Sequence, residues 1–270
     1  MTEPAGPRYT HGHHDSVLRS HRWRTAVNSC AYLLPHLRAG QRLLDLGCGP
    51  GTITADLAAL VAPGTVVAVD AAAGILDEAR STVGASGSRN VVFEQADALA
   101  LPYPDGHFDV VHAHQVLQHL PDPVADLREM RRVCRPGGVV AARDGDYGGF
   151  VWTPPDPVLD RWLELYLAVA RTNGGEPLGG RNLLAWASQA GFEDVTASSS
   201  TWIYATADER RWWGASWAER ATSSGFAESV REHRLATDDD LAAIADAWRR
   251  WAAAGTGWIV IPNGEVICRP

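Results

Sequence analysis

Short apolar runs alternate with segments of helical periodicity between residues 42 and 145. Residues 51–62, 73–83 and 123–134 repeat their apolar positions every three or four residues, which is the spacing of one helix face. The apolar runs have the length of strands that are buried on both faces; they are RLLDLG (42–47), TVVAVD (65–70), NVVFEQAD (90–97), FDVVHAH (108–114) and GGVVAARD (137–144). Strands of this kind, separated by helices, predict an α/β fold with a parallel sheet that helices cover on both sides.

The regions before and after this alternation have a different pattern. Apolar positions at roughly helical spacing over residues 16–38 predict an amphipathic helix ahead of the first strand. Ten of the eleven tryptophans lie beyond residue 150, where helical patterns at 156–175 and 208–230 predict a helical cap. In TDDDLAAIADAWRRW (237–251), a threonine and three aspartates precede a helical run, which indicates a capped helix N-terminus rather than an acidic metal cluster.

Composition and charge narrow the class of protein. The chain has 270 residues, 46% of them hydrophobic, which suits one large domain with an elaborated cap. Its net charge is −8, which disfavours nucleic acid and anionic membranes as partners. Because the sequence contains no lysine, a Walker phosphate-binding lysine and a pyridoxal phosphate Schiff base are both excluded.

Cysteine spacing and apolar run length predict the compartment. The four cysteines form no Cys-x-x-Cys pair, which is typical of reduced thiols and of neither a disulfide framework nor a zinc knuckle. Asp56 and Asp70 interrupt the apolar stretches before they reach the length of a bilayer span. We therefore expect a soluble, cytoplasmic protein.

A glycine-rich turn follows the first predicted strand. Gly47, Gly49 and Gly51 stand at alternate positions directly after Leu46. Glycine has no Cβ and tolerates positive φ, so a ligand can lie against the bare backbone of such a turn. Dinucleotide dehydrogenases use Gly-x-Gly-x-x-Gly, a different spacing, so a nicotinamide oxidoreductase is the less favoured alternative. The turn is predicted to be a cofactor cradle.

Acidic residues mark the ends of three successive predicted strands. Asp45 precedes the glycines, Asp70 lies 19 residues after Gly51, and Asp97 closes the third strand. Parallel strands present their carboxyl ends at one edge of the sheet, where ligands bind. An acid at Asp70 can accept hydrogen bonds from ribose hydroxyls, and Asp97 can accept from an adenine amino group. The pattern indicates a cofactor that contains adenosine.

Four motifs carry a resemblance to a known family; they are LLDLGCGPG, VVAVD, QADALALPYPDGHFDVVHAHQVLQHLPDP and LREMRRVCRPGG. Residues 41–145 resemble class I S-adenosylmethionine-dependent methyltransferases, especially the ubiquinone/menaquinone-biosynthesis-like "type 11" group. The runs TWIYAT and GWIVIPNGEVICRP resemble the last two strands of that fold. The resemblance implies a Rossmann-like, doubly wound, seven-stranded sheet, mostly parallel with an antiparallel last strand, plus helical cap insertions.

The resemblance also implies a cofactor, S-adenosyl-L-methionine, and a division of one structural domain into three parts. These are an N-terminal segment and helix that cover the cofactor (1–40), a cofactor-binding core (41–150), and the remainder of the sheet with a Trp-rich helical cap (151–270). Gly47 and Gly49 would approach the methionine part, Asp70 the ribose, and Asp97 with the Ala98 amide the adenine. His114 would lie near the methionine amino group. The implied cofactor-binding set is completed by Tyr9, Asp45, Cys48 and Ala71.

Methyl transfer from an activated sulfonium needs few catalytic groups, chiefly positioning and sometimes a base. His119 is the candidate base, with His11, His13 and His14 as alternatives and a purely structural histidine as a further one. No metal site is predicted, because His112, His114 and His119 lack the His-Glu-x-x-His helix spacing, and Gln118 replaces an acid that relatives often carry.

The predicted function is methyl transfer to a small metabolite, apolar or ring-bearing because the cap is rich in tryptophan. A protein of the same fold that holds S-adenosylmethionine for another reaction, such as cyclisation, is an alternative. No nucleic acid or membrane partner is expected, and a homodimer stays open.

Overall fold

A computed structural model describes residues 21–270 of the chain. In this part, one sheet contains eight strands; they are β1 Leu43–Leu46, β2 Val66–Asp70, β3 Val91–Gln95, β4 Phe108–His114, β5 Cys134–Gly145, β6 Val151–Thr153, β7 Asp194–Tyr204 and β8 Trp258–Arg269. The strand order is β3-β2-β1-β4-β5-β8-β6. Strands β5 and β6 pair with different halves of β8, and β7 pairs with β8 along almost its whole length. Strand β8 is the one strand of the described residues that runs opposite to the others, so its pairs with β5, β6 and β7 are antiparallel. The predicted mostly parallel sheet with an antiparallel last strand is confirmed.

Nine α-helices accompany the sheet in the described residues; they are α1 Ala26–Ser29, α2 Thr52–Val61, α3 Ala73–Ser86, α4 Pro123–Val133, α5 Pro157–Thr172, α6 Gly179–Gln189, α7 Ala207–Ser223, α8 Gly225–Glu232 and α9 Asp238–Ala253. The helical patterns of the core became α2, α3 and α4, so these predictions are confirmed. No helix of residues 21–270 is both long enough and apolar enough to cross a membrane.

The sheet has one strand more than the seven expected. Strand β8 is 12 residues long, and β5 pairs only with its second half, at Asn263–Cys268. The short strand β6 pairs with Trp258–Val260 in the first half. The extra strand therefore covers backbone groups that would otherwise form an open edge.

The single amphipathic helix predicted over 16–38 is wrong for its described part. Residues 21–38 contain two helical residues at 21–22, the four-residue α1 and a 3₁₀ turn at Leu34–His36, with breaks between them. The helix cannot be continuous because Thr25, the N-cap of α1, has an extended backbone with φ −132° and ψ 166°, and Pro35 is the second residue of the 3₁₀ turn. Cys30, Leu33 and Leu37 are nevertheless buried against α2 and the sheet. The apolar spacing correctly predicted that these residues are buried, but it did not predict their backbone conformation.

The Trp-rich region forms helices as predicted. The pattern at 156–175 became α5, and the pattern at 208–230 became two helices because Ser224 ends α7 and caps α8. Thr237 caps α9, with its Oγ1 accepting from the Asp240 amide at 3.2 Å, which confirms the capped terminus. Side chains from α5, α7, α8 and α9 pack into one cluster, the aromatic layer, which is Trp162, Tyr166, Trp213, Trp217, Phe226 and Trp248.

Candidate functional site

A cavity of about 820 Å³ lies where the loops after β1, β2, β3 and β4 converge. This is the edge of the sheet where a doubly wound fold binds its ligands, and the volume suits a small organic molecule. Every predicted site residue in the described part of the chain lines it; these are Asp45, Gly47, Cys48, Gly49, Asp70, Ala71, Asp97, Ala98, His114 and His119. Tyr9, His11, His13 and His14 lie outside the described residues.

The three glycines of the turn after β1 all have positive φ, but the space around each one differs. A Cβ on Gly47, at φ +68°, would lie 2.5 Å from Val116 Cγ2, and a Cβ on Gly51, at φ +81°, would lie 3.0 Å from Ala79 Cα. At Gly49, φ +53°, a Cβ would meet no protein atom within 4 Å. Gly47 and Gly51 therefore permit close packing within the protein, whereas Gly49 faces the space that a ligand would use.

Asp70 connects the end of β2 to the glycine turn. Its Oδ2 accepts from the Gly49 amide at 3.1 Å, and its Oδ1 accepts from the Ala72 amide at 3.0 Å. Each carboxylate oxygen can accept a second hydrogen bond, so the two amides leave acceptor capacity directed at the cavity that Asp70 lines. The side chain thus both orders the cradle and can hold a hydroxyl group.

Asp97 and Ala98 lie just after β3, on the opposite side of β2 from the glycine turn. Asp97 Oδ1 accepts from the Leu99 amide at 3.0 Å, which fixes the carboxylate beside the cavity. The side chain is exposed, and its carboxyl oxygens can accept a hydrogen bond from a donor on a ligand.

Asp45 borders the cavity, but both of its oxygens are used inside the protein. Oδ2 accepts from Thr54 Oγ1 at 2.6 Å, and Oδ1 lies 2.8 Å from His112 Nδ1. On its other side, His112 Nε2 lies 3.2 Å from Cys30 Sγ. Burial opposes the charge on His112, but Cys30 and Asp45 outweigh it and raise the pKa of the imidazole to about 10. These contacts make Asp45 an anchor between the N-terminal region, β4 and the first turn of α2, and its contact with the cofactor stays a prediction.

His114 faces the same side of β4 as His112, and the two rings stack with centroids 6.5 Å apart. Their electrostatic environments are opposite. Burial and the nearby Arg143 guanidinium lower the pKa of His114 well below its usual value, so its ring is neutral. Neither ring nitrogen has a hydrogen-bond partner among the described residues, although the ring is 7% exposed. A neutral imidazole at the cavity wall can donate or accept one hydrogen bond to a ligand.

A chain of side-chain amides organises the loop after β4. The Gly145 amide donates to Gln118 Oε1 at 3.1 Å, which identifies the Gln118 nitrogen as the donor to Gln115 Oε1 at 2.8 Å. Gln115 Nε2 in turn donates to Asn263 Oδ1 at 2.8 Å, and Gln115 has the unusual φ of +57°. This network was not predicted, because it joins residues 148 positions apart. Backbone strain held by such a network is typical of functional loops.

The same network argues against His119 as a general base. Gln118 Nε2 lies 3.1 Å from His119 Nε2, and since the amide nitrogen donates, the imidazole nitrogen accepts. Burial lowers the pKa of His119 to about 3, followed by a smaller effect of Arg24. An efficient base has a pKa near the working pH and a lone pair aimed at the substrate. The lowered pKa and the Gln118 contact both weigh against His119 as a base, and its catalytic role stays a prediction.

Asp126 is a cavity residue that the sequence analysis missed. It lies in the first turn of α4, its exposed fraction is 0%, and neither carboxyl oxygen has a hydrogen-bond partner in the described part of the chain. The sequence carried a signal for it, because Asp126 shares the buried stripe of α4 with Leu127, Met130 and Val133. An acid on the apolar face of a predicted helix is unusual and indicates either a buried partner or a ligand.

A smaller recess, the aromatic chamber, adjoins the cavity. Its walls carry six aromatic side chains; they are Trp23, Tyr147, Phe150, Trp202, Tyr204 and Trp213. His21, Arg24 and Gln115 line both spaces, so the chamber opens beside the strained Gln115. Residues 21–270 hold no cluster of three or more His, Cys, Asp or Glu side chains arranged for a metal ion.

Comparisons with known proteins agree with this geometry. A family model described as a methyltransferase domain matches residues 37–166. An uncharacterized methyltransferase of Schizosaccharomyces pombe is 33% identical, over 96% of this chain and 95% of that protein.

Solved structures share the fold. The YcgJ protein of Bacillus subtilis has a TM-score of 0.57 at 20% identity, covering 88% of this chain and 97% of that chain. A phosphoethanolamine N-methyltransferase of Haemonchus contortus, in complex with phosphomonomethylethanolamine and S-adenosylhomocysteine, has a TM-score of 0.55 at 18% identity and covers 89% of this chain and 52% of that chain. The chain belongs to the S-adenosylmethionine-dependent methyltransferases.

Proposed function

We propose that this methyltransferase transfers the methyl group of S-adenosylmethionine to a small metabolite that is apolar or bears a ring. The observation that carries the proposal is the set of six aromatic side chains around the aromatic chamber. The chamber holds only about 30 Å³, so an acceptor ring would lie in the adjoining cavity of about 820 Å³, beside Gln115 and against this aromatic wall. Aromatic walls bind flat apolar groups through burial and ring contacts. The protein is further proposed to act in the cytoplasm.

The cavity residues fit the cofactor. The open space at Gly49 accommodates the methionine part, Asp70 accepts from the ribose hydroxyls, and Asp97 with the Ala98 amide holds the adenine. His114, with its neutral ring, lies at the side of the cavity proposed for the amino acid group. When bound, S-adenosylmethionine supplies an activated methyl group.

The chain's own contribution to the reaction is positioning. Gln115, held by Gln118 and Asn263, fixes the passage between the cavity and the aromatic chamber. Fixing an acceptor at the methyl donor removes much of the entropic cost of the encounter, which can lower a barrier by about 7–11 kcal/mol in well-aligned cases. Because burial lowers the pKa of His119 to about 3, His119 takes no proton from the acceptor in this proposal.

The test is transfer of label from methyl-labelled S-adenosylmethionine into a fractionated metabolite extract. We expect label in ring-bearing or apolar fractions; label only in polar, open-chain compounds would contradict the proposed acceptor. Phe150→Ala, which enlarges the aromatic chamber, should change the acceptor KM and leave S-adenosylhomocysteine affinity within about threefold. Trp152→Ala is the matched control, because Trp152 packs on Trp162 and does not line the chamber.

A further inference from the structure

Asp126 is a cavity residue that the cofactor assignment above does not use. Its side chain is fully buried, borders the cavity, and has no hydrogen-bond partner at either oxygen in the described residues. A buried polar group without a partner costs about 1–3 kcal/mol. Because no group of residues 21–270 removes that cost and Asp126 lines the cavity, a ligand group is a candidate partner.

The surroundings of Asp126 determine its protonation state. The charged groups that face it are both acids, namely Asp122 at the N-cap of α4 and Asp97 after β3. Burial first, and these two carboxylates second, raise the pKa of Asp126 to about 7. Below its pKa the group is mainly a neutral carboxylic acid, which offers one O–H donor and one carbonyl acceptor side by side.

The adenine ring has an edge that matches this pair. Its N7 is an acceptor, and its exocyclic amino group is a donor adjacent to N7; Asn and Gln amides recognise the two atoms together. A neutral carboxylic acid presents the same donor and acceptor arrangement as an Asn amide. Asp97, assigned to the other side of the amino group, is close enough to Asp126 to influence its charge.

We propose that Asp126 binds the edge of the cofactor's adenine ring that carries N7 and the amino group. This assignment rests on the proposed placement of the adenine beside Asp97 and Ala98. It makes Asp126 a determinant of cofactor affinity that belongs to a helix and lies outside the loops of the glycine and strand-end motifs.

The direct test compares S-adenosylhomocysteine with its 7-deaza analogue, in which a C–H replaces N7, by calorimetric titration at pH 6. The wild type should bind S-adenosylhomocysteine about tenfold more tightly than the analogue, which corresponds to about 1.4 kcal/mol. Asp126→Asn should keep this preference, and Asp126→Ala should lose it. Asp122→Asn removes a neighbouring charge on the same helix end without touching the cavity, so it should keep the preference.

A second measurement uses pH and the isosteric variant. Between pH 6 and pH 8.5, ionisation removes the O–H donor, so wild-type affinity for S-adenosylhomocysteine should fall, whereas that of Asp126→Asn should stay level. Equal affinity of the wild type for both compounds, or a preference that persists in Asp126→Ala, would overturn the assignment of Asp126 alone. Failure of the wild type to bind S-adenosylhomocysteine at all would overturn the proposed adenine placement as well.

Discussion

The cofactor cavity and the aromatic layer both bury polar atoms without conventional hydrogen-bond partners, but those atoms face different surroundings. In the cavity wall, the Asp126 oxygens and the His114 nitrogens are buried, and both residues line the cavity. In the aromatic layer, Nε1 of Trp162 and of Trp248 also lacks a nitrogen or oxygen partner among the described residues. There the rings cross at 87° with centroids 4.8 Å apart, an edge-to-face contact.

The difference teaches when an unpartnered polar atom indicates a site. An indole N–H can point at the face of a neighbouring ring and gain a weak hydrogen bond, so the aromatic layer needs no ligand to satisfy it. A carboxyl group beside a cavity has no such substitute. The aromatic layer therefore contributes to the stability of the fold, whereas the unpartnered polar groups of the cavity wall lower stability and are available to bind a ligand. Each prediction below separates these two quantities.

Trp162→Ala should have the largest effect, and on stability alone. Trp162 is fully buried and contacts Trp217, Trp248 and Tyr166, so truncation should lower the free energy of unfolding by about 3–5 kcal/mol in urea titrations. Trp258→Ala is the control, since Trp258 is 38% exposed and should cost far less. Folded Trp162→Ala should bind S-adenosylhomocysteine within about threefold of the wild type; a large loss of affinity would show that the two regions are coupled.

Gly49→Val should produce the opposite result, a loss of binding with no stability loss beyond the strain of placing valine at positive φ. The valine side chain would occupy the cavity, and we expect S-adenosylmethionine affinity to fall by about a hundredfold or more, or close to 3 kcal/mol. Gly87→Val is the matched control variant. Gly87 also has positive φ, +82°, and open space around it, but it caps the C-terminus of α3 and does not line the cavity. The two variants should share the backbone strain cost in thermal unfolding, and only Gly49→Val should lose binding. Normal binding by Gly49→Val would show that the turn is not the cradle.

The stability of Asp126→Asn relative to the wild type should increase as the pH rises. The pKa of Asp126 is raised to about 7 by folding, so the unfolded chain releases this proton first, and wild-type stability falls between about pH 4 and pH 7. Asparagine has no proton to release in this range, so the variant does not show this fall in stability. Relative to the wild type, the variant should be about equal at pH 4 and more stable by on the order of 2 kcal/mol at pH 7.5. A difference that does not change with pH would contradict the raised pKa.

Asp70→Ala should weaken S-adenosylmethionine binding by about tenfold or more, because it removes charged hydrogen bonds of roughly 1.5–3 kcal/mol each. Asp77→Ala removes an exposed carboxylate from the neighbouring α3 and should leave the affinity unchanged. If Asp70→Ala folds and binds like the wild type, the ribose assignment fails.

His119→Asn should have the smallest effect. With its pKa lowered to about 3, His119 does not change charge near neutrality, so S-adenosylhomocysteine affinity should stay within about threefold and its pH profile between 5.5 and 8 should run parallel to that of the wild type. A wild-type inflection near pH 6.5 that disappears in the variant would restore His119 as a titrating group.

The sequence by itself determined seven of the eight strands of the described residues, most helices and a set of residues that the structure brings to one cavity. Strands and helices follow from local apolar spacing, which each segment carries within itself. The glycine turn, Asp70 and Asp97 could be assembled from their positions alone, because the carboxyl ends of parallel strands meet at one edge of the sheet. In the described part of the helix predicted over 16–38, burial of Cys30, Leu33 and Leu37 produced a helical spacing without a continuous helix.

The tertiary structure decided how the site residues are used. Asp45 is directed to His112 and Thr54, His119 accepts from Gln118, and Gln115 is held by Asn263 from the far end of the chain. His112 and His114 stand two residues apart on one strand, yet burial and neighbouring charges shift their pKa values in opposite directions. Side-chain partners and local dielectric depend on contacts between distant segments, and a pattern along one chain does not contain those contacts.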